Sequence, residues 1–225
     1  MEFATLVRTR RSVRGFKSKP VSRSLIDEII EDAKRAPSSM NTQPWHVHVL
    51  TGGALEEVRR RNTAEMMAGA KMKRDIIASD TYEGIHRKRQ VDIAKKLFAA
   101  MGIERDDKKM RQDWVMRGFR QFDAPVSFVL TYDRSLDPDV ICHFDLGALC
   151  YGLVLAAWDR GLGTVINGQG IIRSDIVREV ARIPDEEAIM TCIAMGYPDD
   201  AFAANTVTSD REANVDFVRY IGFGD

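Results

Sequence analysis

Neither sign of charge dominates this chain: 33 lysines and arginines are matched by 33 aspartates and glutamates, so the formal net charge is zero. Without a whole-molecule positive field, the chain is not read as a nucleic-acid binder. Cysteine is scarce as well. Cys142, Cys150 and Cys192 are odd in number, lack C-x-x-C spacing and stand among apolar neighbours, which reads as buried thiols in a reducing compartment. Long apolar runs are missing: the uncharged, strongly apolar stretch from Leu146 to Trp158 is bounded by Asp145 and Asp159 and is too short to span a bilayer. The first residues, "MEFATLVRTRR", have no apolar core of the secretory type. Together these absences predict a cytoplasmic protein that binds neither membrane nor nucleic acid. Among the few histidines, His46 and His48 share one face of a predicted strand, but no third ligand is within reach in the sequence and no metal is assigned.

The 225 residues suffice for one domain with a full core, and no repeat or low-complexity linker divides them. Ser24-Leu25-Ile26-Asp27 resembles a capping box, after which Leu25, Ile26, Ile29, Ile30 and Ala33 recur at helical spacing. "PSSMNTQP" is a loop, "WHVHVL" alternates as a strand, and "VSFVLTY" is a strongly apolar strand. Between these strands lies a charged, Met-rich helical excursion at about 54–121, with Val91, Ala94, Phe98 and Met101 on one stripe. Within it, Arg59-Arg60-Arg61 and Arg87-Lys88-Arg89 read as solvated helix faces, the first flanked by Glu56, Glu57 and Glu65. Asp139 to Arg160 is predicted as a central helix, apolar nearly all round and so buried on all sides. On it Ala148, Gly152 and Ala156 form a narrow seam that suits either a subunit interface or tight packing against the sheet. "AIMTCIAMGYP" is the last core strand, and a tail at about 205–225 carries Val215 and Val218.

"GLGTVINGQG" fails as a dinucleotide fingerprint, because Ile166 stands where the third glycine belongs and the glycines follow a helix instead of a strand. Gly161 reads instead as a helix C-cap leading into a strand around Val165. The stretch "TRRSVRGF" sets three arginines and a serine between Arg10 and Arg14, a density that suits a phosphate through bidentate guanidinium bonds and equally suits an exposed basic turn. His143 and Asp145, at i and i+2, point to different sides of their helix and are given no catalytic role.

Taken in order, "RRSVRGF", "APSSMNTQPWHVHVL", "APVSFVL", "GLGTVINGQG" and the tail arginine Arg211 resemble the FMN-dependent nitroreductase family over nearly the whole chain. The stretch "YEGIHRKRQVDIAKKLFAAMGI" is similar to the branch that reduces bulky nitroaromatics. The resemblance implies an α+β fold in a single domain, residues 1–225, with a mostly antiparallel central sheet wrapped by helices, and an intertwined homodimer with two flavins at its interface. It implies that Arg10, Ser12 and Arg211 hold the FMN phosphate with Arg11 nearby, and that Arg14 reaches the pyrimidine edge of the ring. By the same resemblance Pro37, Ser38 and Ser39 cover the ring from the other subunit, Asn41 meets the ring edge, and Asn167 and Gly168 lie near flavin N5. Many relatives carry a lysine two positions before the tail arginine; here Ser209 takes its place.

Independent physical reasoning supports some of these roles. A cation such as Arg14 stabilises negative charge on the pyrimidine side of reduced flavin. Asn41 offers a donor and an acceptor to the ring edge, or closes an Asx turn. Gly168 lets its backbone N–H approach a ligand, or is a hairpin glycine. Met110, Trp114 and Phe119 are candidate substrate contacts in the excursion, or ordinary core. The implied activity is hydride transfer from NAD(P)H to nitroaromatic compounds by a ping-pong mechanism. The alternatives are a quinone or other flavin-type reductase on the same site, and a flavin-binding module without turnover.

Overall fold

The computed structural model describes residues 1–76, 81–137 and 140–223. In chain order the elements are α1 (Phe3–Thr9), α2 (Arg23–Ala33), β1 (Trp45–Thr51), α3 (Gly52–Met67), α4 (Gly84–Ala100), α5 (Lys108–Phe119), β2 (Val126–Asp133), α6 (Ile141–Asp159), β3 (Gly163–Ile166), α7 (Ser174–Ala181), β4 (Glu187–Gly196) and α8 (Asn214–Phe217). The strands form one sheet in the order β1-β2-β4-β3, with every pairing antiparallel. Side-chain alternation then divides the core between its faces. Val126, Phe128, Leu130 and Tyr132 pack with Ile26 and Ile29 of α2 and Leu146, Leu149 and Leu153 of α6. Val129, Ile189 and Cys192 pack on the opposite face against Leu55 and Val58 of α3 and Val177 of α7. A register shift between Leu130 and Thr131 accommodates the bulge in the β2–β4 ladder.

Three local expectations change. Ser22, not Ser24, caps α2, because its backbone is extended and its hydroxyl accepts from the Leu25 amide at 3.3 Å. The helix α6 is not buried on all sides: Ile141, Phe144 and Tyr151 are exposed along one face. Its predicted first residue, Asp139, lies outside the described residues. The arginine run at 59–61 is only partly a solvated face, since Arg60 and Arg61 pair with Glu57 and Glu179 while Arg59 is buried.

The seam on α6 meets α2 of the same chain. A Cβ added at Gly152 would lie 3.1 Å from the Ala33 Cα and 3.2 Å from its carbonyl oxygen, so glycine permits this helix crossing. Gly161 ends α6 as anticipated. Its φ is 74°, its amide bonds the Trp158 carbonyl, and the Leu162 amide bonds the Ala157 carbonyl, which is a Schellman arrangement. By length and composition α6 could cross a membrane, yet half of it is buried inside the protein, as a core helix would be.

Candidate active site

The arginine-rich stretch runs beside the sheet edge formed by β3. Ser12 bridges Thr164 in parallel, and the Val13 amide donates to the Thr164 carbonyl at 2.9 Å. This extended backbone alternates its side chains: Val13 and Gly15 are buried, whereas Ser12 and Arg14 face outward. Gly15 is required by packing, because a Cβ there would overlap the ring of Phe202. The sequence "RSVRG" therefore turns its polar members to the same side as β3 ends.

On that side lie two cavities that share Arg14. The first, of about 330 Å³, is lined by Arg8, Arg10, Arg11, Ser12, Arg14, Thr208, Ser209 and Arg211, among others. None of its five arginines is paired with a carboxylate among the described residues, and the Nε atoms of Arg10 and Arg11 are buried without a hydrogen-bond partner. Arg11 stacks its guanidinium over Trp158, 5.8 Å from the ring centroid. Buried N–H donors of charged groups are costly to leave unmade, so this cavity is built to receive an anion with several acceptor oxygens. The tail holds Arg211 there: Lys96 and Arg89 of α4 pair with Asp210 at 2.5 Å and Glu212 at 2.7 Å, on either side of it. Ser209 accepts from Arg211 through its hydroxyl at 2.7 Å.

The second cavity, of about 340 Å³, is lined by Arg14, Arg74, Trp114, Phe122, Val165, Ile166, Asn167, Gly168 and Gln169. Asn167 donates to the Gly118 carbonyl at 2.7 Å and accepts from the Gln169 amide at 3.1 Å, so it organises the turn that carries Gly168. Gly168 opens a 3-10 turn and not a hairpin, its φ is not positive, and a Cβ on it would meet nothing within 4 Å. Neither backbone conformation nor packing within the chain demands glycine at this position.

The wall bearing Phe122 is strained. Gln121, Phe122 and Asp123 have φ of 55°, 55° and 57°, a left-handed run that costs L-residues about 1–2 kcal/mol each. Buried polar groups hold it. Arg59 Nε donates to the Arg120 carbonyl at 2.8 Å and its Nη2 to that of Ala124, while Asn62 donates to the carbonyls of Phe119 and Gln169. This explains the burial of Arg59 from the other side of the turn.

The structure thus gathers Arg10, Arg11, Ser12, Arg14 and Arg211 at one cavity and Arg14, Trp114, Asn167 and Gly168 at the next. Met110 shares a shallower hollow with the other side of Trp114. Phe119 is buried and lines none of these three, so its assignment as a substrate contact is corrected: α5 ends there and turns its side chain into the protein. Pro37, Ser38, Ser39 and Asn41 lie outside both main cavities of this chain. Their loop is tied to α6, where buried Asp145 accepts from the Ser39 amide at 3.0 Å, and Met40, Asn41 and Gln43 have positive φ. His143 packs edge-on against Tyr132 at 5.0 Å, and His48 pairs with Glu187 at 2.6 Å. Burial alone would raise the Glu187 pKa, but hydrogen bonds from Thr131 and His48 hold it below the usual value.

Residues 7–197 match the Nitroreductase family. The chain belongs to that family. Among its nitroreductase relatives, the chloronitrobenzene nitroreductase of Comamonas testosteroni is 33% identical over 222 residues, covering 96% of this chain and 95% of the relative. The nitrobenzene nitroreductase of Ectopseudomonas oleovorans is 31% identical over 220 residues, with the same coverage. Of the solved nitroreductases, the FMN- and NADPH-dependent NfnB of Sphigopyxis sp. strain HMH superposes with a TM-score of 0.93 at 27% identity, over 99% of this chain and 100% of the other. The fold expected from the resemblance, α+β with a mostly antiparallel sheet among helices, is the one observed.

Reasoning from sequence missed Arg8, Arg74, Phe122 and Gln169. Arg8 extends the basic stretch by two residues and was legible there. Phe122 owes its place to a left-handed turn in a segment, "RQFDAP", without glycine or asparagine to announce one.

Proposed function

We propose that this nitroreductase is an FMN-dependent enzyme that passes hydride from NAD(P)H to nitroaromatic compounds. The observation that carries the proposal is the cavity of unpaired arginines with its two buried, partnerless Nε atoms, opening at Arg14 onto a second cavity walled by Trp114 and Phe122. A phosphate and a flat ring joined by a short chain fit these two chemistries, and the residues present suit the group. Arg10, Arg11, Ser12 and Arg211 would hold the phosphate of FMN. When bound, FMN supplies the two-electron chemistry, accepting hydride at N5 and passing it on.

The chain's own residues bind, orient and exclude. Burial lowers the pKa of the Arg14 guanidinium, yet arginine stays protonated, so it would offer a permanent cation to the pyrimidine edge of a bound flavin. Gly168, with open space above it and no local need for glycine, would let its backbone N–H approach N5. Trp114 and Phe122 present apolar surface to a planar aromatic. Relatives named for chloronitrobenzene, nitrobenzene and 4-nitrobenzoate support a nitroaromatic acceptor.

The complete site takes two subunits in this reading. Phe144 of α6 is 78% exposed, and Val215, Tyr220 and Phe223 of the tail are exposed too, an apolar surface suited to a second copy. Such a copy would bring Pro37, Ser38, Ser39 and Asn41 to the ring. With one ring face open to both co-substrates, the kinetics would be ping-pong. Two measurements test the function together: NADPH added anaerobically to the yellow holoprotein bleaches the flavin absorbance, and initial-rate plots against either substrate give parallel lines. A flavin that stays oxidised defeats the enzyme reading, and intersecting lines defeat the shared face.

A further inference from the structure

We infer that Asn205 is a positioning residue for Arg14, setting where its charge stands. It is buried, and its side-chain amide uses every valence, with three of its four bonds going to Arg14 and Gly15. Its Oδ1 accepts from the Arg14 amide at 2.7 Å and the Gly15 amide at 3.1 Å. Its Nδ2 donates to the Gly15 carbonyl at 2.8 Å and the Asp199 carbonyl at 2.9 Å. Only a primary amide can accept two bonds at one atom and donate two at the other in this plane. The bonds to Arg14 and Gly15 join positions 191 and 190 residues apart, so these three are no by-product of a local turn.

The far side of the same residue is held as well. Arg117 Nη2 donates to the Arg14 carbonyl at 3.1 Å, and its guanidinium lies 4.6 Å from the centroid of Phe202, the ring that fills the space beside Gly15. Arg14 is therefore gripped at its N–H by Asn205 and at its C=O by Arg117, while its own Nη1 makes only a long contact, 3.4 Å, to the Ser12 carbonyl. The backbone is fixed so that a nearly unpartnered guanidinium stands where both cavities meet. Asn205 touches neither cavity, and its influence on chemistry passes through Arg14.

This inference rests on the proposed role of Arg14 at the flavin. It is tested on the holoprotein with Asn205→Ala, Arg14→Gln and the double variant, measuring FMN affinity by fluorescence, the midpoint potential of bound flavin, and its single-turnover reduction by NADPH. Asn205→Ala should make the potential more negative and slow reduction about tenfold, with a smaller change in FMN affinity. The double variant should be no slower than Arg14→Gln alone, because two residues acting through one charge are not additive. Additive effects, or lost FMN affinity with an unmoved potential, overturn the inference and leave Asn205 a structural residue. An unmoved potential in Arg14→Gln overturns it too, by removing the role of Arg14, whereas a wild type that binds no FMN defeats the functional reading first. If Asn205→Ala does not fold, Asn205→Ser is held to the same criteria.

Discussion

Arg10 and Arg11 have buried Nε atoms without a hydrogen-bond partner among the described residues, in a cavity whose arginines have no carboxylate partner among them. Elsewhere the chain pairs its arginines readily, as with Arg60–Glu57 and Arg173–Asp175. The contrast marks an anion site and not a basic face. If Arg10 holds the phosphate as proposed, removing it would delete one charge-assisted contact, worth roughly 1.5–3 kcal/mol, or one to two decades in affinity. Arg10→Ala is expected to lose FMN at moderate salt, read by flavin fluorescence after desalting; unchanged affinity would remove Arg10 from the phosphate site. Arg10, Arg11, Ser12 and Arg14 were legible because so dense a set of guanidinium groups and a hydroxyl suits a phosphate and because "RRSVRGF" resembles the family. Asn205 was not, since its meaning lies in its partners Arg14 and Gly15 far away in the sequence, and no local pattern distinguishes it from a turn asparagine.

Helix α6 illustrates how much of an element its composition can reveal. Its existence, its length and its glycine stop were readable, because a long apolar run closed by Gly161 admits few alternatives. Which neighbour its small residues meet was not readable, since Ala148, Gly152 and Ala156 fit a subunit seam or an intrachain one equally well. At Gly152 the neighbour is Ala33 of α2, where an added Cβ would sit tighter than an ordinary contact and push Ala33 back by a few tenths of an ångström. Gly152→Leu should therefore act on folding, forcing α2 from α6 at about 1–3 kcal/mol, the usual cost of overpacking a core. The measurement is a urea midpoint beside size-exclusion elution. A lower midpoint with the same elution volume is expected, whereas an intact midpoint with a changed assembly would place the seam between subunits.

Considered as one molecule, the chain lines the proposed phosphate cavity with five arginines, and the loop proposed to cover the ring lies outside both cavities. That loop is not idle. Its backbone takes left-handed φ at Met40, Asn41 and Gln43, and Asp145 fixes it to α6, so it is held in a strained form while Met40 is 96% exposed. A surface loop held this way suits presentation to another molecule, and the exposed face of α6 containing Phe144 runs beside the same anchor. A single chain would then bind FMN by its phosphate and leave the ring poorly covered. Replacing Phe144 by Asp sets a charge in the proposed contact without disturbing the core, since the side chain is exposed. Wild type is expected to elute as a dimer with flavin bound, and Phe144→Asp as a folded monomer with unchanged circular dichroism whose FMN is lost on dilution. A monomeric wild type, or a monomeric variant that retains flavin as tightly, would show that each chain covers its own ring and that the Pro37–Asn41 loop serves another purpose.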